Sequence, residues 1–204
     1  MTSAPATTHA RPGRPSTGAR ERILEGALEI LKRDGYAGMT TAKIAAASGQ
    51  NKGLIAYHFG SKQGLVAAVA RQVSDVLIAE VLAEVGKPSS ATQLVRGLTA
   101  GVWRVLDRDP GLQRVYFDLA SQSAVDPQVR EIMAEMKASF REIIGELLRD
   151  LDDGPRGAEI GAAAVFLIAG IEGLSLERLG RGETPELIRA RRIFEASAAT
   201  AIRT

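Results

Sequence analysis

Apolar residues recur every three or four positions in each long segment of this chain beyond about residue 17. This is the period of an amphipathic helix, and no segment shows the alternation of apolar and polar residues that a half-buried strand requires. Ser, Thr, Asn or Asp precedes these segments and Gly or Pro follows them, which are the usual start and stop signals of helices. The sequence therefore predicts an all-α fold.

The residue types that the chain lacks exclude several classes of function. It contains no cysteine and two histidines, His9 and His58, which excludes thiolate and multi-histidine metal sites. A Ser-His-Asp triad would have to use one of those histidines, and the sequence has neither a glycine-rich phosphate loop nor paired carboxylates inside an apolar run. We therefore expect no catalytic residue, no metal and no cofactor, so an enzyme is the disfavoured alternative.

The sequence contains no segment typical of a membrane span or a secretory signal. Its longest apolar run, residues 160–171, is shorter than the stretch of about 20 residues that a span needs. The first twenty residues lack the apolar core of a signal peptide. We expect a cytoplasmic protein with no membrane partner.

Basic charge is concentrated in the first third of the chain. The net charge is +2, yet residues 1–70 hold nine Lys and Arg against four acidic residues. No acidic residue occurs between Asp34 and Asp75. A surface without carboxylates suits the phosphates of a nucleic acid, and chance in helices of small residues is the alternative.

Residues 40–59 contain two short helical segments joined by a turn at Gly49, which is the pattern of a helix-turn-helix. Ala45, Ala46 and Gly49 are small, so we expect the two helices to cross closely. The second helix would expose its first residues to the major groove, where Asn and Gln can pair with adenine and Lys with guanine. The residues expected to contact DNA are Thr40, Thr41, Lys43, Gln50, Asn51, Lys52, Gly53, Leu54, Tyr57, His58 and Lys62.

The stretch TTAKIAAASGQNKGLIAYHFGSKQGL, which begins at Thr40, resembles the DNA-binding domain of the TetR family of transcriptional regulators. The resemblance covers residues 19–65, and its segment GLIAYHF is more similar to the choline-responsive repressor branch than to the tetracycline branch. It implies that Thr41 and Lys62 contact phosphates and that Lys52 enters the groove. Three residues depart from the family pattern, in place of the usual Val, Thr or Ser, and Tyr: Gln50, Leu54 and Ala56.

The predicted organisation has four parts. They are a disordered basic arm (1–16), a three-helix DNA-binding domain (17–66), a connecting helix (67–87) and, as the resemblance implies, a larger C-terminal helical domain for ligand binding and dimerisation (88–204). In the arm, Arg11 and Arg14 either enter a minor groove or are solvated.

The helix that starts near Gly157 is apolar on nearly every side and rich in small residues. Such a helix must be buried on more than one side, either by a second copy of the chain or as the central helix of a monomer. We expect a homodimer, because helix-turn-helix modules usually bind two half-sites as dimers. The residues expected at the interface are Ala162, Phe166, Ala169, Gly170, Gly173, Ile188, Ile193 and Phe194.

Aromatic, methionine and polar side chains beyond residue 88 are candidates for a ligand pocket. They recur at helical spacing, so an ordinary apolar core is the alternative. The candidates are Trp103, Tyr116, Phe117, Ser121, Gln122, Met133, Met136, Phe140 and Phe166.

Together these features favour a ligand-responsive transcriptional regulator, in the form of a homodimeric repressor that a small molecule releases from a palindromic operator. Its partners would be double-stranded operator DNA, an unidentified small-molecule effector and a second copy of the chain. One alternative is an activator of the same architecture. Another is a non-specific architectural DNA-binding protein, which would not need residues 88–204.

Overall fold

The computed structural model describes residues 18–203, and within that range it contains helices and no strand. The predicted all-α fold is confirmed for this part of the chain, whereas the predicted basic arm at residues 1–16 lies outside it. The helices of the described residues are α1 (Ala19–Gly38), α2 (Thr41–Ser48), α3 (Lys52–Phe59), α4 (Lys62–Val85), α5 (Ala91–Arg108), α6 (Pro110–Gln122), α7 (Pro127–Arg149), α8 (Glu159–Arg181) and α9 (Pro185–Ala201).

Local sequence signals set the ends of the first four helices. Thr40, Asn51 and Ser61 each accept a hydrogen bond from the backbone N–H three residues further on, at 3.2, 2.9 and 3.0 Å, and so cap α2, α3 and α4. The regular part of α1 ends at Gly35, where a φ of 70° interrupts the helix. These predicted starts and stops produce the helix-turn-helix of α2 and α3.

The tightest crossing in this region lies between α1 and α2. A Cβ added to Gly26 in α1 would lie 2.9 Å from the backbone nitrogen of Ser48 in α2, so this crossing requires glycine. Ala46 is exposed, and no described atom lies within 4 Å of a Cβ built on Gly49. The expectation that Ala46 and Gly49 bring α2 and α3 together was wrong, because Gly49 instead takes the left-handed conformation that ends α2.

The buried apolar residues form two clusters that do not follow the predicted domain boundary. The first cluster joins α1–α4 to α6 and the first half of α7, for example through Ile30 and Leu119. The second joins α5, the second half of α7, α8 and α9, for example through Leu98 and Leu167. Packed side chains of α6 and α7 therefore connect the helix-turn-helix end to the rest of the chain, and α4 runs unbroken past residue 66.

Helix α8 is packed on one side. Leu167 and Ile171 are buried in the second cluster, while Val165 and Phe166 are exposed. Contrary to the expectation from the length of the apolar run, α8 is long and apolar enough to span a membrane, the one such helix among the described residues, and 28% of its apolar stretch is buried within the chain. Its outer side is thus an apolar surface that a single copy of the chain leaves uncovered.

Candidate nucleic-acid interface and ligand cavity

The start of α3 is the most accessible part of the helix-turn-helix. Asn51, Lys52 and Gly53 are exposed, and the Tyr57 side chain one turn later is 72% exposed. The Lys52 ammonium has no hydrogen-bond or ion-pair partner within residues 18–203. A free cation at the helix start, with an exposed tyrosine later in the same helix, suits a groove lined by phosphates and base edges.

The start of α2 contributes the hydroxyls of two threonines and a lysine whose positive charge is compensated by a carboxylate. Thr40 and Thr41 are exposed, and so is Lys43. The Lys43 ammonium lies 2.7 Å from Asp34 Oδ2, and Arg33 donates to the same carboxylate at 2.8 Å. The hydrogen bond from Arg33, followed by that from Lys43, holds the pKa of Asp34 well below its usual range. Lys43 thus brings less net positive charge to the surface than Lys52 does.

The structure changes how Gln50, Asn51 and Leu54 are interpreted. Asn51 Oδ1 accepts from the Leu54 amide, and Gln50 Nε2 donates to the backbone oxygen of Gly49 at 3.1 Å. The two amide groups are therefore engaged within the turn, so bidentate pairing with adenine would require breaking these bonds. Leu54 is half-buried and packs on the first cluster.

His58 is half-buried in α3, edge-on to the rings of Tyr57 and Phe59. Its Nε2 is buried and has no hydrogen-bond partner in the part of the chain that the structure describes. No group of three or more His, Cys, Asp or Glu within residues 18–203 is arranged to hold a metal ion. The environment of His58 is therefore one of aromatic packing at the end of α3.

Lys62 lies over an aromatic ring at the junction of α1 and α4. Its ammonium is 4.5 Å from the centroid of the Tyr36 ring and 3.4 Å from the Tyr36 backbone oxygen. The Tyr36 hydroxyl donates to Asp126 Oδ2 at 2.8 Å, and the Tyr36 amide donates to Asp118 Oδ2 at 2.5 Å. The helix-turn-helix end is therefore tied to α6 and to the start of α7 through one tyrosine.

These contacts shift the pKa of the Tyr36 hydroxyl and the pKa of the Asp126 carboxyl. Burial, followed by the bond to Asp126, raises the pKa of Tyr36 to about 12. The hydrogen bond from Tyr36 lowers the pKa of Asp126, with smaller contributions from backbone N–H groups and the charge of Lys62. No local sequence pattern indicates this junction, because its members are separated by up to 90 positions along the chain.

A cavity opens between α4, α5, α6, α7 and α8 and encloses about 740 Å³ of empty space, its open mouth included. Leucine, isoleucine and valine side chains form most of its wall, and Leu82 lies partly exposed at the surface. The lining residues are Leu77, Ile78, Val81, Leu82, Leu98, Val102, Gln113, Tyr116, Phe140, Ile143, Ile144, Leu147, Ile168, Ile171, Glu172 and Ser175. An apolar wall interrupted by a few polar groups is typical of a small-molecule site.

Four polar side chains interrupt this apolar wall: Gln113, Tyr116, Glu172 and Ser175. The Tyr116 hydroxyl donates to Glu172 Oε1, and Lys137 donates to Glu172 Oε2 at 3.2 Å. Burial, followed by the bond to Glu172, raises the pKa of Tyr116, which keeps the phenol protonated. Gln113, Glu172 and Ser175 were not among the residues predicted for the pocket. Glu172 could have been noticed as a lone carboxylate in an apolar helix.

Of the predicted pocket residues, Tyr116 and Phe140 line this cavity and the other seven lie elsewhere. Trp103 donates from Nε1 to Glu183 at 2.8 Å, and the guanidinium groups of Arg178 and Arg191 lie 5.4 and 5.1 Å from its ring centroid. The rest occupy the first cluster or its edge, the end of α6 or the outer side of α8: Met133, Met136, Phe117, Ser121, Gln122 and Phe166.

The predicted dimer residues lie on α8 and α9. Phe194 covers Gly170 so closely that a Cβ added there would lie 2.2 Å from the ring, and its centroid is 6.1 Å from that of Phe166. Around this contact, Val165 is 52% exposed and Ile193 66% exposed. The other predicted members are exposed or half-buried on these two helices: Ala162, Ala169, Gly173 and Ile188.

Two family models match the chain. The model described as bacterial regulatory proteins, tetR family, matches residues 23–69. The model described as BetI-type transcriptional repressor, C-terminal, matches residues 91–203, which is more than half of the chain.

Proteins of similar extent share sequence or fold with the chain. The HTH-type transcriptional repressor AcnR of Corynebacterium glutamicum is 28% identical over 177 residues, which cover 85% of this chain and 88% of that protein. The nucleoid occlusion factor SlmA of Enterobacter sp. strain 638 is 27% identical over 168 residues, covering 80% and 84%. The crystal structure of a regulator from Saccharomonospora viridis in complex with choline has a TM-score of 0.72 at 21% identity, covering 93% and 100%. This last likeness shows a shared fold.

Proposed function

The chain belongs to the TetR family of bacterial regulatory proteins, and we propose that it is a homodimeric, ligand-responsive repressor that a small molecule releases from a palindromic operator. Family membership identifies a DNA-binding regulator rather than an enzyme. The observation that carries the finer proposal is that a single helix, α6, contacts both the cavity and the DNA-binding end.

Helix α6 provides the connection between the two sites. Tyr116 of α6 lines the cavity, and Asp118, two residues further on, accepts the hydrogen bond from the Tyr36 amide. Tyr36 in turn holds Lys62 at the start of α4. A ligand that displaced α6 would therefore shift α1 and α4 together. It would alter DNA binding by as much as its affinity differs between the two arrangements.

The exposed residues at the starts of α2 and α3 are the proposed DNA contacts. Lys52 and Tyr57 would reach the groove, and Thr40 and Thr41 would hydrogen-bond to phosphate oxygens. Their exposure and the free ammonium of Lys52 support this assignment. Lys62 instead supports the junction with Tyr36 and reaches DNA only if it leaves that ring.

The uncovered apolar side of α8 and α9 supports a homodimer. A second copy would bury Val165, Phe166 and Ile193 against the same residues, as a two-fold interface requires. A membrane is the poorer covering, because the opposite side of α8 is packed on α5, α7 and α9, with Leu167 and Ile171 buried. A dimer would also present two recognition helices to successive half-sites. We place the protein in the cytoplasm.

The assignment as a repressor rests on relatives. AcnR, 28% identical to this chain, is named a repressor, and the BetI-type match also describes repressors. The resemblance of residues 53–59 supports a position near the choline-responsive branch. The branch describes the type of C-terminal domain. Which effector the protein accepts depends on the side chains that line its cavity.

A reporter assay tests the proposal. The DNA upstream of the gene for this protein would drive a reporter in a host that lacks the gene, with the protein expressed separately. We expect wild-type protein and the control Lys87→Glu, which alters an exposed lysine beyond α4, to lower reporter output, whereas Lys52→Glu would not. Higher output with wild-type protein would identify an activator. Unchanged output together with equal affinity for random DNA would identify an architectural protein.

A further inference from the structure

Gln113 lines the cavity, and its side-chain amide has no hydrogen-bond partner among the described residues. The residue as a whole is 6% exposed. Neither amide atom is among the fully buried, unpaired polar atoms of the described residues, so both keep accessible surface through which a ligand could reach them. An unpaired amide in the wall of an apolar cavity is therefore a position at which a ligand would supply the missing partner.

The nearby carboxylate is already neutralised. Glu172 accepts from the Tyr116 hydroxyl through one oxygen and from the Lys137 ammonium, at 3.2 Å, through the other. The pair of Glu172 and Lys137 carries no net charge. A cationic ligand would add an uncompensated positive charge to this apolar site, and such burial is costly. A neutral ligand leaves the charges of Glu172 and Lys137 balanced.

Within the described residues, the wall holds too few aromatic side chains to form the cage in which quaternary ammonium groups are recognised. Of the lining side chains within the described residues, Tyr116 and Phe140 are aromatic, with ring centroids 6.1 Å apart and planes tilted by 37°. The remaining apolar lining comes from leucine, isoleucine and valine. A wall of this composition suits a ligand that consists mainly of aliphatic hydrocarbon.

We propose that the effector is a neutral, mainly aliphatic molecule with one hydroxyl or carbonyl group that hydrogen-bonds to the Gln113 amide. This inference deepens the proposed function and rests on it, since it assigns the chemistry of the same cavity. Gln113 can both donate and accept, so it accommodates either group. The hydrocarbon body would lie along the side chains of α4, α5, α7 and α8 that form the wall.

Matched probes test the polar group. Decan-1-ol and decyltrimethylammonium have the same hydrocarbon chain and differ in the head, and binding of each to the purified full chain is measured by isothermal titration calorimetry. We expect the alcohol to bind at least about tenfold more tightly than the ammonium. Gln113→Leu should weaken alcohol binding about fivefold. Gln122→Leu, which alters a glutamine of the same helix outside the cavity, should leave it unchanged.

A second variant tests the charge argument. Lys137→Met removes the cation and keeps most of the aliphatic stem, which leaves Glu172 uncompensated. We expect the preference for the alcohol over the ammonium to shrink by at least about tenfold in this variant. Three results would overturn the inference: tighter binding of the ammonium to wild-type protein, an unchanged alcohol affinity in Gln113→Leu, or no binding of the alcohol.

Failure of this inference differs from failure of the proposed function. The same preparations are assayed for binding to the upstream DNA. Selective DNA binding without alcohol binding would reject the effector chemistry and leave the regulator intact. Alcohol binding as described without selective DNA binding would reject the regulator and leave the chemistry of the cavity intact.

Discussion

Single side chains at the helix-turn-helix have roles that their residue type alone does not reveal. Asn51 is a residue that can read adenine, yet its carbonyl oxygen caps α3. Lys43 and Lys52 are both exposed lysines of the helix-turn-helix, yet Asp34 compensates the first and no described residue pairs with the second. At this scale, function depends on which atoms remain free once the fold has used the others.

The cap at Asn51 leads to a prediction that separates folding from base reading. Asn51→Ala should lower the free energy of unfolding by about 1 kcal/mol, since the Leu54 amide loses its acceptor, as measured by urea denaturation. Asn51→Ser keeps a capping oxygen, so it should retain both stability and affinity for the upstream DNA. A stable Asn51→Ser protein that lost selective binding would show that the amide reads a base.

The bond between Tyr36 and Asp126 predicts a difference in acid stability. Because the folded state lowers the pKa of Asp126, this carboxylate stabilises the fold above its ordinary pKa of about 4, and that contribution is lost as the pH falls through the lowered value. Tyr36→Phe should raise the pKa of Asp126 toward its ordinary value, as followed by NMR, and should reduce the loss of stability in acid. Tyr57→Phe, at an exposed tyrosine, is the control. An unchanged Asp126 titration in Tyr36→Phe would contradict the assignment.

At the scale of helices, α1 and α2 pack closely where Gly26 of α1, which has no side chain, lies against Ser48 of α2. The backbone of Ser48 lies where a Cβ of residue 26 would have to be. The Ser48 hydroxyl turns back to the backbone oxygen of Ile44 at 2.7 Å, so the crossing contains no protruding group. Any side chain at position 26 must therefore push the helix-turn-helix away from α1.

Gly26→Ala tests this crossing. The added methyl group should destabilise the protein by about 1–3 kcal/mol, as expected for overpacking against backbone, and should weaken DNA binding. Gly180→Ala is the matched control in α8, where no described atom lies within 4 Å of the added Cβ, and it should be neutral or slightly stabilising. Equal stability of the two variants in urea would contradict the close approach.

The sequence predicted the features that depend on neighbouring residues. Thr40, Asn51 and Ser61 were recognisable as caps because a cap and its helix are adjacent in the chain. The contact of Gly26 with Ser48 and the cavity around Gln113 and Glu172 were not, because they depend on how distant helices pack. Tyr116 and Glu172, for instance, are 56 positions apart, and no helical period relates them.

For the molecule as a whole, the apolar side of α8 and α9 predicts the oligomeric state. Val165→Arg and Ile193→Arg place charge at side chains that a single copy leaves exposed, so they should cost the monomer little and disrupt a dimer. We expect light scattering after size exclusion to give a dimer for wild-type protein and a monomer for each variant. Val125→Arg, at a 78% exposed loop residue between α6 and α7, should remain dimeric. Dimeric Val165→Arg and Ile193→Arg proteins, or a monomeric wild type, would place the interface elsewhere.

The most direct test of the central claim is the affinity of the purified protein for its own upstream DNA and for a scrambled duplex of equal length, measured by fluorescence anisotropy over a salt series. A dimeric regulator should bind the upstream DNA at least about 10³-fold more tightly than the scrambled duplex. The logarithm of the affinity should fall linearly with the logarithm of the salt concentration as Lys and Arg release counterions from phosphates. Equal affinity for the two duplexes would contradict the account.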